Sequence, residues 1–586
     1  MKQNKKEIRF ECKPNTGENA TPLIRRTLEE LRKSETESTR LHFRPGRYDF
    51  FTEGAASCDY PISNHDQQIT RPVIFDLNNL HDVTIDGNGS QFVFHGHLLP
   101  FALVDSKRCK LKNFSIDSAL PALVHQFRVV RSKDGEIVCE VFPPEPWEIR
   151  DGRLLFTGTD LQPNSFMICK PDGRLRYRTA FNFFNPASVN VAENGTLCFH
   201  GLKGNCCEGD YLILRSSAAQ TCGILLWHAD DAQLHNITLH YSDGMGLVAQ
   251  MTENIELEGF RVARRSSNDP RRFTTRADAT HFSGCRGRIV SRHGFYEGMG
   301  DDAINVHGTY LKVTAQLDEH TVMARYVHER AWGFDWGYAG DLVQFVDSSS
   351  MAPKGQSMVI ASISADAKQR QFTIRFTEIV PENDDAVLEN LTWTPEVEFS
   401  YNVVRNNRGR GALFTTPRRV LVENNTFDHV LGSGILLCGD AAKWFESGGC
   451  RDVIIRKNRF INALRAHLEF SEAVISICSA HPALGSDTYV HSGIDIYENV
   501  IETFDQPWLY AKSVRDLRFH NNEIWQNRDY PPFHPNHSHI RLEHVAEPEI
   551  FNNRYLNCCS TYPPTENFSM NNQLRKGQKK LLEKTK

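Results

Sequence analysis

The chain has 586 residues, of which 40% are hydrophobic and 24% charged, and its formal net charge is −5. Such a composition belongs to a globular protein and excludes a disordered one; it also lacks the basic excess of a nucleic-acid binder and any run of about 18 apolar residues able to span a membrane. The length is too great for one ordinary core, so it implies either several domains or a repeat that grows along one axis.

The N-terminal stretch "MKQNKKEIRFECKPNTGEN" is positively charged but has no apolar h-region. No signal peptide is expected in this chain, and the compartment stays open between a cytoplasmic protein and one whose signal has been removed. The first predicted element is a helix with Thr21 as N-cap and Pro22 at its first position. Leu23, Ile24, Thr27, Leu28 and Leu31 form its less polar stripe. "LHFRPGRYDF" follows as strand, Pro-Gly turn and strand. A solenoid must cover its exposed end, and a helix placed here can do so.

A rhythm then sets in. "HDVTIDGNGS", "CKLKNFSIDS", "AQLHNITLHY", "NIELEGFRVAR", "RRVLVENNTFDH", "RDVIIRKNRFIN" and "SGIDIYENVIET" each pair two short alternating strands around a polar bend. Leu234 and Leu257 are 23 residues apart, as are Asn499 and Asn522. Periods of about 20–50 residues signal a solenoid, and strands this short point to the coils of a parallel β-helix. Asn425, Asn458, Asn499, Asn522 and Asn553 fall at equivalent bends, where their amides can stack as an internal ladder.

Two stretches break the period with hairpin alternation. The expected organisation is therefore a cap and first coils over 1–125, an inserted β domain over 126–216, coils over 217–310, a second inserted β domain over 311–398, coils over 399–562, and a polar, Lys-rich tail over 563–586 that should fray. Each insertion is expected to be a small β-barrel-like unit, since "GDYLILR" and "GDLVQFV" are alike. The fifteen cysteines include no Cys-x-x-Cys pair, so free thiols are expected, not a zinc ribbon.

"EGMGDDAINVHG" places Asp301 and Asp302 side by side behind Gly298 and Gly300. Asp278 precedes them by 23 and 24 residues, one coil, and equivalent positions of neighbouring coils stack about 4.8 Å apart. Three carboxylates should then crowd one patch. Crowding raises at least one pKa, which supplies the protonated acid and the ionised base that glycoside hydrolysis needs. Adjacent strand residues point to opposite faces, so both aspartates can face one groove only if the glycines bend the backbone. A solvated turn or a calcium cluster is the competing reading of the Asp pair. His307 and Asn305 follow on one face of the same run, His307 being equally suited to a sugar hydroxyl and to a packed site.

The helix cap, the Pro-Gly strand turn and the coil rhythm resemble the pectate-lyase-like superfamily of right-handed parallel β-helices. The Asp pair with a third Asp one coil upstream is similar to the polygalacturonases of glycoside hydrolase family 28, although the Arg-Ile-Lys motif of those enzymes is missing. The longer strings "GMGDDAINVHGTY", "GRGALFTTPRRVLVENNTF" and "GILLCGDAAKWFESG" resemble glycoside hydrolase family 110, over nearly the whole chain. That resemblance implies an inverting, exo-acting α-1,3-galactosidase. Its substrate would be a galactose-terminated glycan, the blood group B antigen or linear Galα1-3Gal. Asp301 would be the general acid, with Asp278 and Asp302 positioning the attacking water. It implies no metal, no cofactor and no covalent intermediate, and its members are typically secreted or periplasmic bacterial enzymes.

Substrate contacts are expected from Asp440, Trp444 and Glu446 in the non-repetitive excursion "CGDAAKWFESGG", from the guanidinium of Arg410, and from Trp227 on an earlier coil. Two other readings compete. One is a polygalacturonase-like hydrolase or polysaccharide lyase, for which Arg276, Arg286, Arg288 and Arg292 would meet uronates. The other is a non-catalytic glycan-binding solenoid. The insertions could wall the groove into a pocket or mediate contacts in a homo-oligomer.

Overall fold

The computed structural model describes residues 5–33, 38–65, 69–133, 135–156, 162–179, 182–192, 195–216, 220–366, 370–479, 488–557 and 568–571. Most of the strands belong to one continuous, dominantly parallel sheet that winds along the chain. Each coil contributes strands to three columns. In one column Leu247–Gln250, Thr280–Ser283, Ile304–Thr309, Ala412–Thr415, Ile435–Gly439 and Ile475–Ser479 pair in parallel, each with the next. The chain is an all-β parallel β-helix.

The bends explain the rhythm. Asn236, His293, Tyr401, Asn424, Lys457, Glu498, Asn521 and Asn552 all take a φ between 52° and 57°, a left-handed turn between two strands of one coil. Asn residues tolerate that region better than most, which accounts for their recurrence there. The residue after the bend points inward. The backbone and side-chain amides of Asn425 both donate to Asn458 Oδ1, at 3.0 and 2.9 Å. The same pattern runs through Asn499, Asn522 and Asn553. Each amide also donates to a backbone carbonyl, as Asn425 does to Phe399 at 2.8 Å. The ladder therefore satisfies buried polar groups that no water reaches.

Between the columns runs one apolar core, from Phe10 to Leu542. Phenylalanines stack along it, Phe75 on Phe101 at 4.2 Å and Phe427 on Phe460 at 5.1 Å between ring centroids. The helix Thr21–Arg32 closes its N-terminal end with Thr21, Ile24, Leu28 and Leu31 buried; Leu23 and Thr27 are only half-buried. Thr21 is not the N-cap. Ala20 holds that position without a side-chain cap. Asn19 Oδ1 accepts the Thr21 N–H at 2.9 Å, and the Thr21 hydroxyl is tied to the backbone of Phe51. Docking the cap to the solenoid thus draws Thr21 into the helix.

Residues 311–390 pair among themselves into a closed barrel of six strands around their own core. The strands between Val124 and Arg215 behave differently. Seven of them form an open antiparallel sheet whose end strands are Asn182–Phe183 and Ser188–Val191. The expected barrel likeness fails here, because these end strands are not paired with each other among the described residues, and Pro186 between them has no N–H for a ladder. Of the tail, Phe568–Asn571 adds a parallel strand beside Ile540–Glu543; the rest of 563–586 lies outside the described residues. Described cysteines are free thiols, most of them buried. No helix among the described residues is long and apolar enough to cross a membrane.

Candidate active site

The coil register brings the carboxylates together. Thr280 pairs with Ile304, and the Ala279 N–H donates to Asp302 O at 2.8 Å, so Asp278 stacks on Asp302. The chain between Phe295–Glu297 and Ile304–Thr309 is a bend, not a strand. Gly298 takes a φ of +72° there. At Gly300 an added Cβ would sit 2.1 Å from Arg276 O. This bend is what lets adjacent Asp301 and Asp302 face one pocket. Carboxylate oxygens of Asp278, Asp301 and Asp302 lie within 4.8 Å of one another.

Each of the three is held differently. Asp302 is buried and accepts the Arg410 backbone N–H at 2.6 Å and its guanidinium at 2.8 Å. Asp278 is buried, with His281 Nδ1 at 2.8 Å from Oδ2 and the Asp302 N–H donating to Oδ1 at 3.4 Å. Asp301 has 36% of its side chain exposed and lies 3.4 Å from Arg408 Nη1. Burial pushes Asp278 well above the usual carboxylate range, with the charge of Asp301 adding to it. Burial also raises Asp302, against the pull of Arg410. The site therefore resists holding three full negative charges.

The carboxylates open into a pocket of about 570 Å³. Its wall is drawn from distant parts of the chain: Asn164 and Phe183 from the open sheet, Arg330 from the barrel, and Phe470 from a late coil. Asn305, Arg410, Asp440, Trp444 and Glu446 line it as well. Trp444 is 38% exposed and stacks on His328 at 4.3 Å. Glu446 is half-buried; His307, His281 and Arg410 outweigh the cost of that burial and hold it below the usual carboxylate range. Asn305 Oδ1 and Arg410 Nε are buried without a protein partner, which suits groups that meet a ligand.

Other expected contacts are engaged within the protein or lie outside the lining. Both oxygens of Asp440 are taken by the backbone N–H groups of Ala442, Lys443 and Trp444, so it shapes the turn that presents Trp444. His307 is buried behind His281 and does not line the pocket. Its strand neighbour Asn305 does, because the pocket lies toward the start of that strand. Trp227 is also outside the lining. It sits against the barrel core and edge-on to Tyr60 at 6.4 Å, since its strand is three coils before Ile304–Thr309. Arg286, Arg288 and Arg292 pair with Glu253 and Glu398 away from the pocket; Arg276 lines it.

Sequence reasoning missed three residues that organise the site. His281, three positions after Asp278, was legible by its spacing. Arg215 ends the last strand of the open sheet in chain order, Tyr211–Arg215, and donates to Gly300 O at 2.8 Å, clamping the Asp301 loop from 85 residues away. Arg408 donates to the same carbonyl at 3.3 Å. A cation could be held by the oxygens of the Asp trio, or by Glu136, Cys198 and His200 on the open sheet. At the trio Arg408 and Arg410 already supply positive charge.

A buried pair of carboxylates stacked on successive coils, with a third, more exposed, in the same walled pocket, suits a β-helix hydrolase of the glycosidase class. No family model matches the chain. It is 44% identical over 569 residues to the alpha-1,3-galactosidase B of Phocaeicola vulgatus, covering 92% of this chain and 95% of that protein. It is 42% identical over 558 residues to the alpha-1,3-galactosidase B of Parabacteroides distasonis, covering 91% and 90%. Identity with the alpha-1,3-galactosidase A of Bacteroides fragilis is 31% over 542 residues, covering 89% and 87%. The chain belongs to the alpha-1,3-galactosidase family of glycoside hydrolases. Among solved structures, a family 28 exopolygalacturonase of Yersinia enterocolitica aligns over 93% of this chain and 78% of its own, at 10% identity and a TM-score of 0.37, too weak a likeness to add to the strand pairing.

Proposed function

We propose that this protein is an exo-acting, inverting galactosidase that removes terminal α-1,3-linked galactose from glycans. The observation that carries the reading is the convergence of Asp278, Asp301 and Asp302 at the base of a pocket. In this reading Asp301, the most exposed, protonates the leaving oxygen, while Asp278 and Asp302 grip the attacking water. Arg410 favours the negative charge that Asp302 takes on as it acts, against the burial that raises its carboxyl. Asn305, Arg410, Trp444 and Glu446 meet the galactose, the indole by stacking on the apolar face of the ring.

The two insertions are read as separate β domains, 126–216 and 311–398, on a right-handed solenoid. Phe183 and Arg330 extend from them to the pocket. A groove blocked in this way takes the end of a chain, not its middle. A uronate substrate is disfavoured because Arg410 and Arg408 are already engaged by Asp302 and Asp301. The trio's oxygens lie closer than the roughly 6.5–9.5 Å usual between inverting carboxyl groups, so the stereochemistry needs its own test.

The substrate reading is tested by release of galactose from linear Galα1-3Gal and from the fucosylated blood group B trisaccharide, and of galacturonate from polygalacturonate. Release from either of the first two and none from the third is the expected result. Cleavage of polygalacturonate alone would transfer the site to the competing class.

A further inference from the structure

Behind the carboxylates lies a chain of buried contacts that the reaction as described leaves unused. Asp278 Oδ2 is 2.8 Å from His281 Nδ1. His281 Nε2 is 2.9 Å from His307 Nε2. His307 Nδ1 is 2.7 Å from Gly308 O. All three side chains are buried. Glu446 Oε1 stands 3.6 Å from His307 Nε2.

The end of the chain fixes the proton count. A carbonyl only accepts, so His307 Nδ1 carries a hydrogen. Each of the other two contacts then holds one proton, on one side or the other. Three contacts hold three protons, and Asp278, His281 and His307 together sum to zero charge however those protons are shared. With both imidazoles neutral, His307 Nε2 accepts from His281 Nε2–H, His281 Nδ1 accepts from Asp278 Oδ2–H, and Asp278 Oδ1 is left facing the site.

We propose that Asp278, His281 and His307 form a buried proton relay that takes up the proton of the attacking water and sets it down on His307 opposite Glu446. The proposal rests on the trio being the hydrolytic site. The step balances. The water O–H breaks as its proton binds Asp278 Oδ1 and its oxygen joins the anomeric carbon, while the glycosidic C–O bond breaks and the leaving oxygen takes the proton of Asp301. The Oδ2 proton moves to His281 Nδ1, and the His281 Nε2 proton moves to His307 Nε2. His307 ends as an imidazolium beside the Glu446 carboxylate, and Asp278 is still singly protonated. His281 and His307 touch no substrate; they are positioning residues for the proton.

The relay must be neutral before turnover. The charged and titratable groups near His281 are Asp278, Asp301, Glu446, His307 and His65, and those near His307 are His281 and Glu446. Burial lowers His281 to about 4 and holds His307 below its ordinary value against Glu446, so both are neutral near pH 7.

The test is the pH dependence of kcat for His281→Asn, His307→Asn and the double variant. In His307→Asn the amide still donates to Gly308 O, so that anchor is preserved while the relay is cut. Each single variant should lose about 100-fold or more in kcat with KM within about threefold, and the double variant should lose no more than the worse single one. In Glu446→Gln the acidic limb of kcat should move about one pH unit lower, since the charge that favours protonated His307 is gone. Wild-type kcat and pH profile in His307→Asn, or losses that multiply in the double variant, would overturn the relay. If His281→Asn does not fold, His307→Asn decides alone. Turnover surviving in both Asp301→Asn and Asp302→Asn would instead overturn the trio, which separates the two failures.

Discussion

At Gly409 one added carbon would sit 2.2 Å from Asp302 Oδ1 and 2.5 Å from Asp301 Oδ1. Neither oxygen can yield without leaving the site. Gly409→Ala should therefore lose about 100-fold or more in kcat, measured against an unchanged far-UV spectrum. Asp278 carries a second consequence. Its carboxyl is raised by burial, so between the unfolded value near 4 and its folded value the native state holds a proton that the unfolded state has released. Stability is lost as pH rises through that window. Asp278→Asn removes the penalty. The variant should melt at or above the wild-type temperature at pH 7–8, with the gap closing toward pH 4, and it should be inactive. A variant less stable than wild type at pH 8 would contradict the assigned sign.

At the scale of elements, the asparagine ladder and the coil spacing were legible because the repeat acts locally. Leu234 pairs with Leu257, and Asn499 bonds Asn522, each 23 residues on. Asn458→Ala should remove the donors to Val422 O and Asn499 Oδ1 and the acceptor for Asn425. The expected cost is about 2–3 kcal/mol in chemical denaturation, with KM unchanged. The stacking of Asp278 on Asp302 was legible for the same reason. Arg215 and Trp227 were not. Arg215 reaches the Asp301 loop from the open sheet, and Trp227 is claimed by the barrel core. Both outcomes depend on how an insertion folds back on the coils, and no period in the sequence encodes that. The helix start was misplaced likewise, since Thr21 is bound by Phe51 and not by its own first turn.

At the scale of the whole molecule, a solenoid supplies a long open groove, and the insertions turn one stretch of it into a pocket. Phe183 on the open sheet lines that pocket while 66% exposed, which places it to meet the sugar beyond the scissile bond. Phe183→Ala should raise KM several-fold for a disaccharide while kcat changes little, read from initial rates. The central claim is that three carboxylates on two coils hydrolyse an α-galactoside by direct attack of water. Time-resolved proton NMR of Galα1-3Gal turnover tests it most directly. β-Galactose should appear first, with α-galactose growing in only by mutarotation. Initial release of α-galactose would contradict it and would make one of the carboxylates a nucleophile.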